Sequence, residues 1–313
     1  MTESPQEAWS MATVVRAALA LACLAVAPNT ASAQADRPAE EMLRSLQERG
    51  RQIALYLQAV DRTADLLKAQ GSGAPPSDRT VVIPESAGWR VVCLKDLTKE
   101  PGTAGPARSG LSIVGETTFS PDSGQVGTLG LIVPPRPAPA AIQAYGRALE
   151  EAETATLSRP DAGPPFVDAV LREKDSTFTV YVISQKPDET APAPPATSPG
   201  SVVIGRDFIV RVAANGRQVL SVEKLHDSVA SLSLLPRAPG APLLHEHDKG
   251  DLPAPTDVAL VLRQPVLAPL LVLTGRFMFR VDREGEVTWL GPNPTPSARP
   301  ARSPVPPGGG GAP

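Results

Sequence analysis

Proline decides where this chain can hold a long regular element. Its 313 residues carry 36 prolines and 25 glycines, and a proline inside a helix removes a backbone hydrogen bond and clashes with the preceding turn. Residues 39–70 contain none. There Ala39, Leu43, Leu46, Ile53, Leu57, Val60, Ala64 and Leu67 recur in alternating steps of three and four, broken only at Gly50. That is the spacing of one helical face, so residues 37–70 read as one long amphipathic helix, ended by the Gly-Ser-Gly-Ala-Pro-Pro linker at 71–76. Four heptads raise a coiled-coil alternative. Gly50 and Ala64 leave holes in that seam, however, and Met42, Ala54 and Tyr56 widen it beyond the narrow stripe of a coiled coil. Docking on the chain's own domain is the leading reading, and self-association through residues 37–70 the secondary one.

Behind the helix, short β-branched and aromatic runs alternate with Pro, Gly and Asp, the pattern of strands and turns. Strands are expected at 80–83, 89–94, 111–119 and 126–133, then a stiff proline connector at 134–139 and a second helix at 140–157. Residues 166–173 read as a short helix or turn, 177–184 as a strand, and 186–200 as a Pro/Ala/Thr-rich loop without structure. Asn215-Gly216 between 207–213 and 217–224 is a hairpin signal, because both residues tolerate the positive φ of a tight turn. A strand at 232–235, a helix from Thr256, a strand at 270–274 and a hairpin 277–281/287–290 complete the ordered part. Residues 292–313 read as a disordered tail.

The start of the chain reads as an export signal. Residues 11–16 (MATVVR) give a short basic segment, residues 17–27 an uncharged run of eleven, and Ala31-Ser32-Ala33 a small-x-small cleavage pattern of the kind a signal peptidase needs. Met11 suits the start better than Met1, since Glu3 and Glu7 stand where positive charge is wanted. Cys23 is not read as a lipid-bearing cysteine, because Ala20 stands where such sites carry Leu and the apolar run would be cut in half. The mature chain, from Gln34, is expected in the periplasm or outside the cell, with no stable membrane span after signal removal. It then keeps one cysteine, Cys93 in WRVVCLK, which reads as a buried strand residue. A formal charge of −3 and 4% aromatics offer neither the basic surface nor the stacking platforms of a nucleic-acid partner.

The chemistry concentrates in LLHEHDKGDLPAPTD, residues 243–257, which holds two of the three histidines. In an extended chain His245 and His247 point to one face. Thr256 reads as an N-cap, placing Asp257 in the first turn of a helix and facing back to the strand end. Two imidazoles and one carboxylate would leave a fourth tetrahedral position for water, the plan of a catalytic zinc. The other open reading is a polar loop whose Pro, Gly and Asp serve turn geometry. His226, in KLHDS, reads as a solvated loop histidine.

Strand, His245-Glu-His247, proline-containing loop, Ala254-Pro-Thr-Asp257, then LLVLTGRFMFRVDREGEV resembles the JAMM-type (JAB/MPN) zinc isopeptidases, over roughly residues 177–290. The resemblance implies zinc on His245, His247 and Asp257, and a glutamate on an upstream strand as proton shuttle, for which Glu173 and Glu223 are the candidates. Asp248 stands where that family has proline, and Ala254 where it has the serine that steadies the developing oxyanion.

The expected architecture is α+β or α/β: a signal peptide at 1–33, the amphipathic helix and linker at 34–76, a small α+β domain at 77–160, a JAMM-like mixed sheet with flanking helices at 165–291, and the tail. The leading function is an exported, non-catalytic binding or accessory protein, its partner an unidentified protein or peptide. A zinc peptide or isopeptide hydrolase is the first alternative, and a protein oligomerising through its helix the second.

Overall fold

A computed structural model describes residues 37–294 apart from 72–76, 100–109, 160–165, 185–200, 227–229, 234–237, 239 and 248. The expected signal peptide, most of the 71–76 linker, the expected 186–200 loop and the expected tail beyond 294 lie outside the described residues. The fold is α+β, with three helices, three larger sheets and a two-stranded ladder among the described residues.

The proline-free stretch forms α1 (Glu40–Ala69). Glu40 and Glu41 in its first turn and Lys68 in its last match the helix dipole. Its buried face begins with Leu43, Leu46, Gly50, Ile53 and Leu57, and the chain itself covers it. Leu43 and Leu46 enter one core, while Ile53, Tyr56 and Leu57 enter another. Among the described residues no helix is long and apolar enough to cross a membrane.

The first sheet is antiparallel: β1 (Arg79–Glu85), β2 (Gly88–Asp96) and β3 (Leu111–Ser120), with β4 (Gln125–Val126) and β5 (Gly130–Pro137) both paired to β3. The expected strand at 126–133 is thus two pieces, and residues 134–137 of the expected proline connector belong to β5. Pro134, Pro135 and Pro137 are tolerated because β5 pairs on one side only, where a missing N–H costs no ladder bond. Cys93 is buried on β2, and burial pushes its thiol up to about 11.

Helix α2 (Ala140–Leu157) matches the expected bounds. It packs on the second sheet, ordered β10-β9-β7-β6 from β6 (Phe166–Arg172), β7 (Phe178–Ser184), β9 (Asp207–Val212) and β10 (Val219–Lys224). Residues 166–172 form a strand, not the expected helix or turn, since FVDAVLR finds a full antiparallel partner in β7. At the Asn215-Gly216 turn, Gly216 takes φ +71° and lies against the Ala144 carbonyl of α2. One continuous core joins α1, both sheets and α2, running across the expected boundary at 160–165.

The last sheet is β12 (Leu243–Glu246), β13 (Leu270–Leu273), β14 (Phe277–Val281) and β15 (Val287–Pro292), in that order. β12 and β13 are parallel, so the chain crosses over between them through α3 (Pro255–Arg263). The ladder of β8 (Ser201–Ile204) and β11 (Ala230–Ser233) adds Ile204 and Leu232 to the core beneath, which holds Val258, Val261, Leu267, Leu270, Val272, Phe277, Phe279 and Val281. Ordered structure runs past the expected tail start: Pro292 pairs with Phe277, and Asn293 Nδ2 donates to the Thr274 carbonyl at 2.7 Å. Helices α1 and α3 touch at Gly50, where a Cβ would lie 2.5 Å from Val258 Cβ. The break in the apolar repeat is therefore the crossing point of two helices.

Candidate metal centre

β12 ends on His245-Glu246, and His247 follows immediately. Parallel pairing sets His245 opposite Val272, and the His247 N–H donates to the Leu273 carbonyl at 2.6 Å. Strand alternation does what the His-x-His spacing requires: His245 and His247 turn inward, at 3% and 5% exposure, and Glu246 faces solvent.

Asp257 arrives from the other side, on the first turn of α3. The N-cap is Ala254, not Thr256, because Pro255 occupies the first helical position, where a missing N–H is harmless. Asp257 is then the third residue of the helix, and its Oδ2 accepts the Ala254 N–H at 2.8 Å, the returning half of a capping box. Fixed that way, the carboxylate faces the strand end. Its Oδ1 lies 3.6 Å from His245 Nε2, and its Oδ2 3.9 Å from His247 Nε2.

His226 corrects the reading of a solvated histidine. It is fully buried, just past the end of β10, with its ring centroid 4.3 Å from that of His247 and 5.1 Å from that of His245. Its Nε2 stands 3.9 Å from Asp257 Oδ1 and 3.8 Å from Asp207 Oδ2. All three histidines of the chain thus meet at one point, with two buried carboxylates. One ligand atom each from His226, His247 and Asp257 can be taken within 4.8 Å of one another.

The electrostatics follow from burial. Removal from water pushes the Asp257 carboxyl up, but His245, His226 and His247, with the Ala254 N–H, outweigh this and hold it below its ordinary value. Asp207 has no such surplus. Burial and the nearby Asp257 charge, against the pull of the Thr256 hydroxyl, push it up to about 7. The His247 ring is oriented from behind. Its Nδ1 meets the Lys249 carbonyl, which can only accept, so Nδ1 carries a proton and the neutral ring has its lone pair on Nε2. That Nε2 is buried and has no hydrogen-bond partner. A carbonyl fixing the tautomer while the other nitrogen faces a cluster of donors is how proteins prepare an imidazole for a metal. The donor set, imidazole nitrogens and a carboxylate oxygen, fits zinc or a neighbouring transition metal and not calcium or magnesium.

The two glutamates expected to shuttle protons are elsewhere. Glu223 is exposed on β10, opposite Ile209. Glu173 binds Arg49, Oε2 to Nη2 at 2.9 Å. Burial alone would raise it, but hydrogen bonds from Arg49 and Thr179 and the Arg49 charge hold it below its ordinary value. The acid that does face the cluster, Asp207, opens β9 and is separated from His245 by 38 residues of chain. Set against protein-family models, curated proteins and solved structures, the chain matches none, so the cluster has to be read from its own geometry.

Proposed function

We propose that this chain is an exported, non-catalytic binding or accessory protein whose C-terminal part holds a divalent cation of the zinc class on His245, His247 and Asp257. One observation carries the metal: imidazole and carboxylate ligand atoms converge at a buried point, with the His247 lone pair aimed into it. Imidazole nitrogens and a carboxylate oxygen are the donors that a zinc-class cation takes. The non-catalytic reading is supported by the absence of either candidate glutamate from the cluster, since a general base must come within hydrogen-bond reach of the proton it takes.

The test is elemental analysis of the untagged mature protein beside a His245→Ala/His247→Ala double variant. About one zinc per chain, lost in the variant, is the expected result. No metal in either, with zinc offered in excess, would remove the metal from this account.

A zinc hydrolase of the JAMM type remains the second reading, favoured by two features. The parallel β12–α3–β13 crossover carries His-x-His and Asp257 in the order that the resemblance implies, and Asp207 supplies an acid beside the ligands. In that reading Asp207, not Glu173 or Glu223, takes the proton. Peptide or isopeptide cleavage by the zinc-loaded chain, abolished in Asp207→Asn with zinc retained, would establish it.

A further inference from the structure

We infer that His226 is a fourth protein ligand, which closes the site and makes the cation a structural clamp between the two cores. This rests on the metal reading above and goes beyond it. The sequence leaves the fourth position to water; the fold fills it with an imidazole.

The distances fit closure. Four ligands about 2.0–2.1 Å from a tetrahedral zinc lie roughly 3.3–3.4 Å from each other. Around Asp257 the separations are 3.6 Å to His245 and 3.9 Å to both His226 and His247. His245 and His226 approach Asp257 Oδ1 and His247 approaches Oδ2; one ligand atom each from His226, His247 and Asp257 already lies within 4.8 Å of the others, and closure on a zinc requires His245 to draw in with them. None of the four side chains is more than 4% exposed, so a substrate reaching the ion would have to displace core. Structural zinc sites carry four protein ligands, whereas catalytic ones keep a position open. The Asp207 carboxyl stands 3.8 Å from His226 Nε2, where a bound cation would favour its ionised form.

The origin of each ligand says what the clamp holds. His226 follows β10, the edge of the second sheet, whose strands belong to the first core. His245, His247 and Asp257 come from β12 and α3, which frame the other core. A cation bound by all four ties the exit of one sheet to the entry of the next. Its binding free energy then becomes folding free energy, and stability rises with metal concentration by mass action.

The experiment uses the full mature chain with cobalt(II) as a spectroscopic stand-in for zinc. Three readouts are taken: the visible d–d spectrum, its response to azide, and the thermal midpoint with and without zinc. A closed site gives the intense tetrahedral spectrum, unchanged by azide. His226→Ala should weaken zinc binding beyond the roughly 10–100-fold that loss of an outer-shell partner costs. Zinc at a hundredfold excess over its dissociation constant should raise the midpoint by roughly 5–10 °C in the native chain, and by much less in the variant. If metal binds but azide shifts the cobalt spectrum, or His226→Ala binds as tightly as the native chain, the fourth position belongs to solvent and closure is wrong, while the metal reading stands. If no metal binds at all, both fail. The azide readout needs only the native chain, so a variant that does not fold leaves the inference decidable.

Discussion

Gly50→Ala should destabilise the protein, although helix propensity alone says the reverse. In the middle of a solvent-exposed helix the change would gain about 1 kcal/mol, because alanine has less chain entropy to lose. At this position the new Cβ would meet Val258 Cβ at 2.5 Å, Val258 Cγ1 at 2.7 Å and the Pro255 carbonyl oxygen at 2.9 Å. Carbon atoms at rest lie about 3.5–4.0 Å apart, so α3 must retreat by roughly 1 Å. A side-chain rotation cannot relieve this, since two of the three obstacles are a backbone oxygen and a Cβ. Overpacking of this kind typically costs about 1–3 kcal/mol; here the rigid obstacles put it at the upper end, leaving a net loss of about 1–2 kcal/mol once the propensity gain is subtracted. For a chain of this size that lowers the thermal midpoint by roughly 2–8 °C. The assay is urea or thermal unfolding followed by circular dichroism, with an exposed-face control such as Gln52→Ala moving little. A midpoint raised by Gly50→Ala would refute the close crossing of α1 and α3. Because Val258 follows Asp257 in the chain, the same variant should also weaken zinc binding.

Three further perturbations probe the rest of the fold. Asp168 is half-buried on β6 and its carboxyl is raised well above its ordinary value, first by burial and then by the facing Glu153, with Arg79 opposing. A raised folded-state value means stability that is complete below the ordinary Asp range and lost as pH climbs through the folded value. Asp168→Asn should flatten that decline in urea midpoints; a decline of unchanged slope would place its source elsewhere. Glu173 works in the opposite direction: held low by Arg49 and Thr179 against burial, it contributes stability present above its ordinary value and lost as pH falls through the folded one. Glu173→Gln should cost about 0.5–1 kcal/mol near neutral pH, converging with the native chain in acid, and an undiminished difference in acid would reject the ion pair as its cause. Phe279→Ala, at a fully buried position, should cost about 3–5 kcal/mol, and a loss under about 1 kcal/mol would mean that the core beneath β12–β15 is loosely packed.

Long, strongly periodic elements were legible in the sequence and non-local ones were not. α2 matches its expected range, and α1 lies within three residues of its expected range at the N-terminus and one at the C-terminus, because the 3.6-residue period and the proline spacing are local signals. The hairpin at Asn215-Gly216 was legible for the same reason. Residues 166–172 were misread because seven residues of mixed polarity do not separate a turn from a strand until β7 is known to lie beside them. The N-cap was misplaced by two residues: Thr256 looked the better cap, but Pro255 at the first helical position moves the boundary to Ala254. In the site, His245, His247 and Asp257 followed from strand alternation and a helix start. Asp207 and His226 did not, since they lie 38 and 19 residues before His245 and reach it only through sheet order.

One signal could have found His226, and it is compositional. A chain of 313 residues with three histidines, two of them framed as ligands, has a single imidazole left to complete the set. That argument gains force from what burial does to an imidazole. A solvated histidine costs the fold nothing, but a fully buried one must be partnered or kept neutral. Three in contact with one carboxylate cannot all be charged without strong mutual repulsion. Asp257 can satisfy one imidazolium, and its Oδ2 is already shared with the Ala254 N–H. Three imidazoles and two carboxylates thus crowd one small buried volume. On the proposed metal reading, a divalent cation bound by these groups would make the crowded point a cross-link. The test of that cross-link is where destabilisation falls when zinc is withdrawn: in β12, α3 and the end of β10 first, as faster amide exchange there, while α2 and the first sheet stay protected. Uniform exchange throughout would mean that the cluster is no such cross-link.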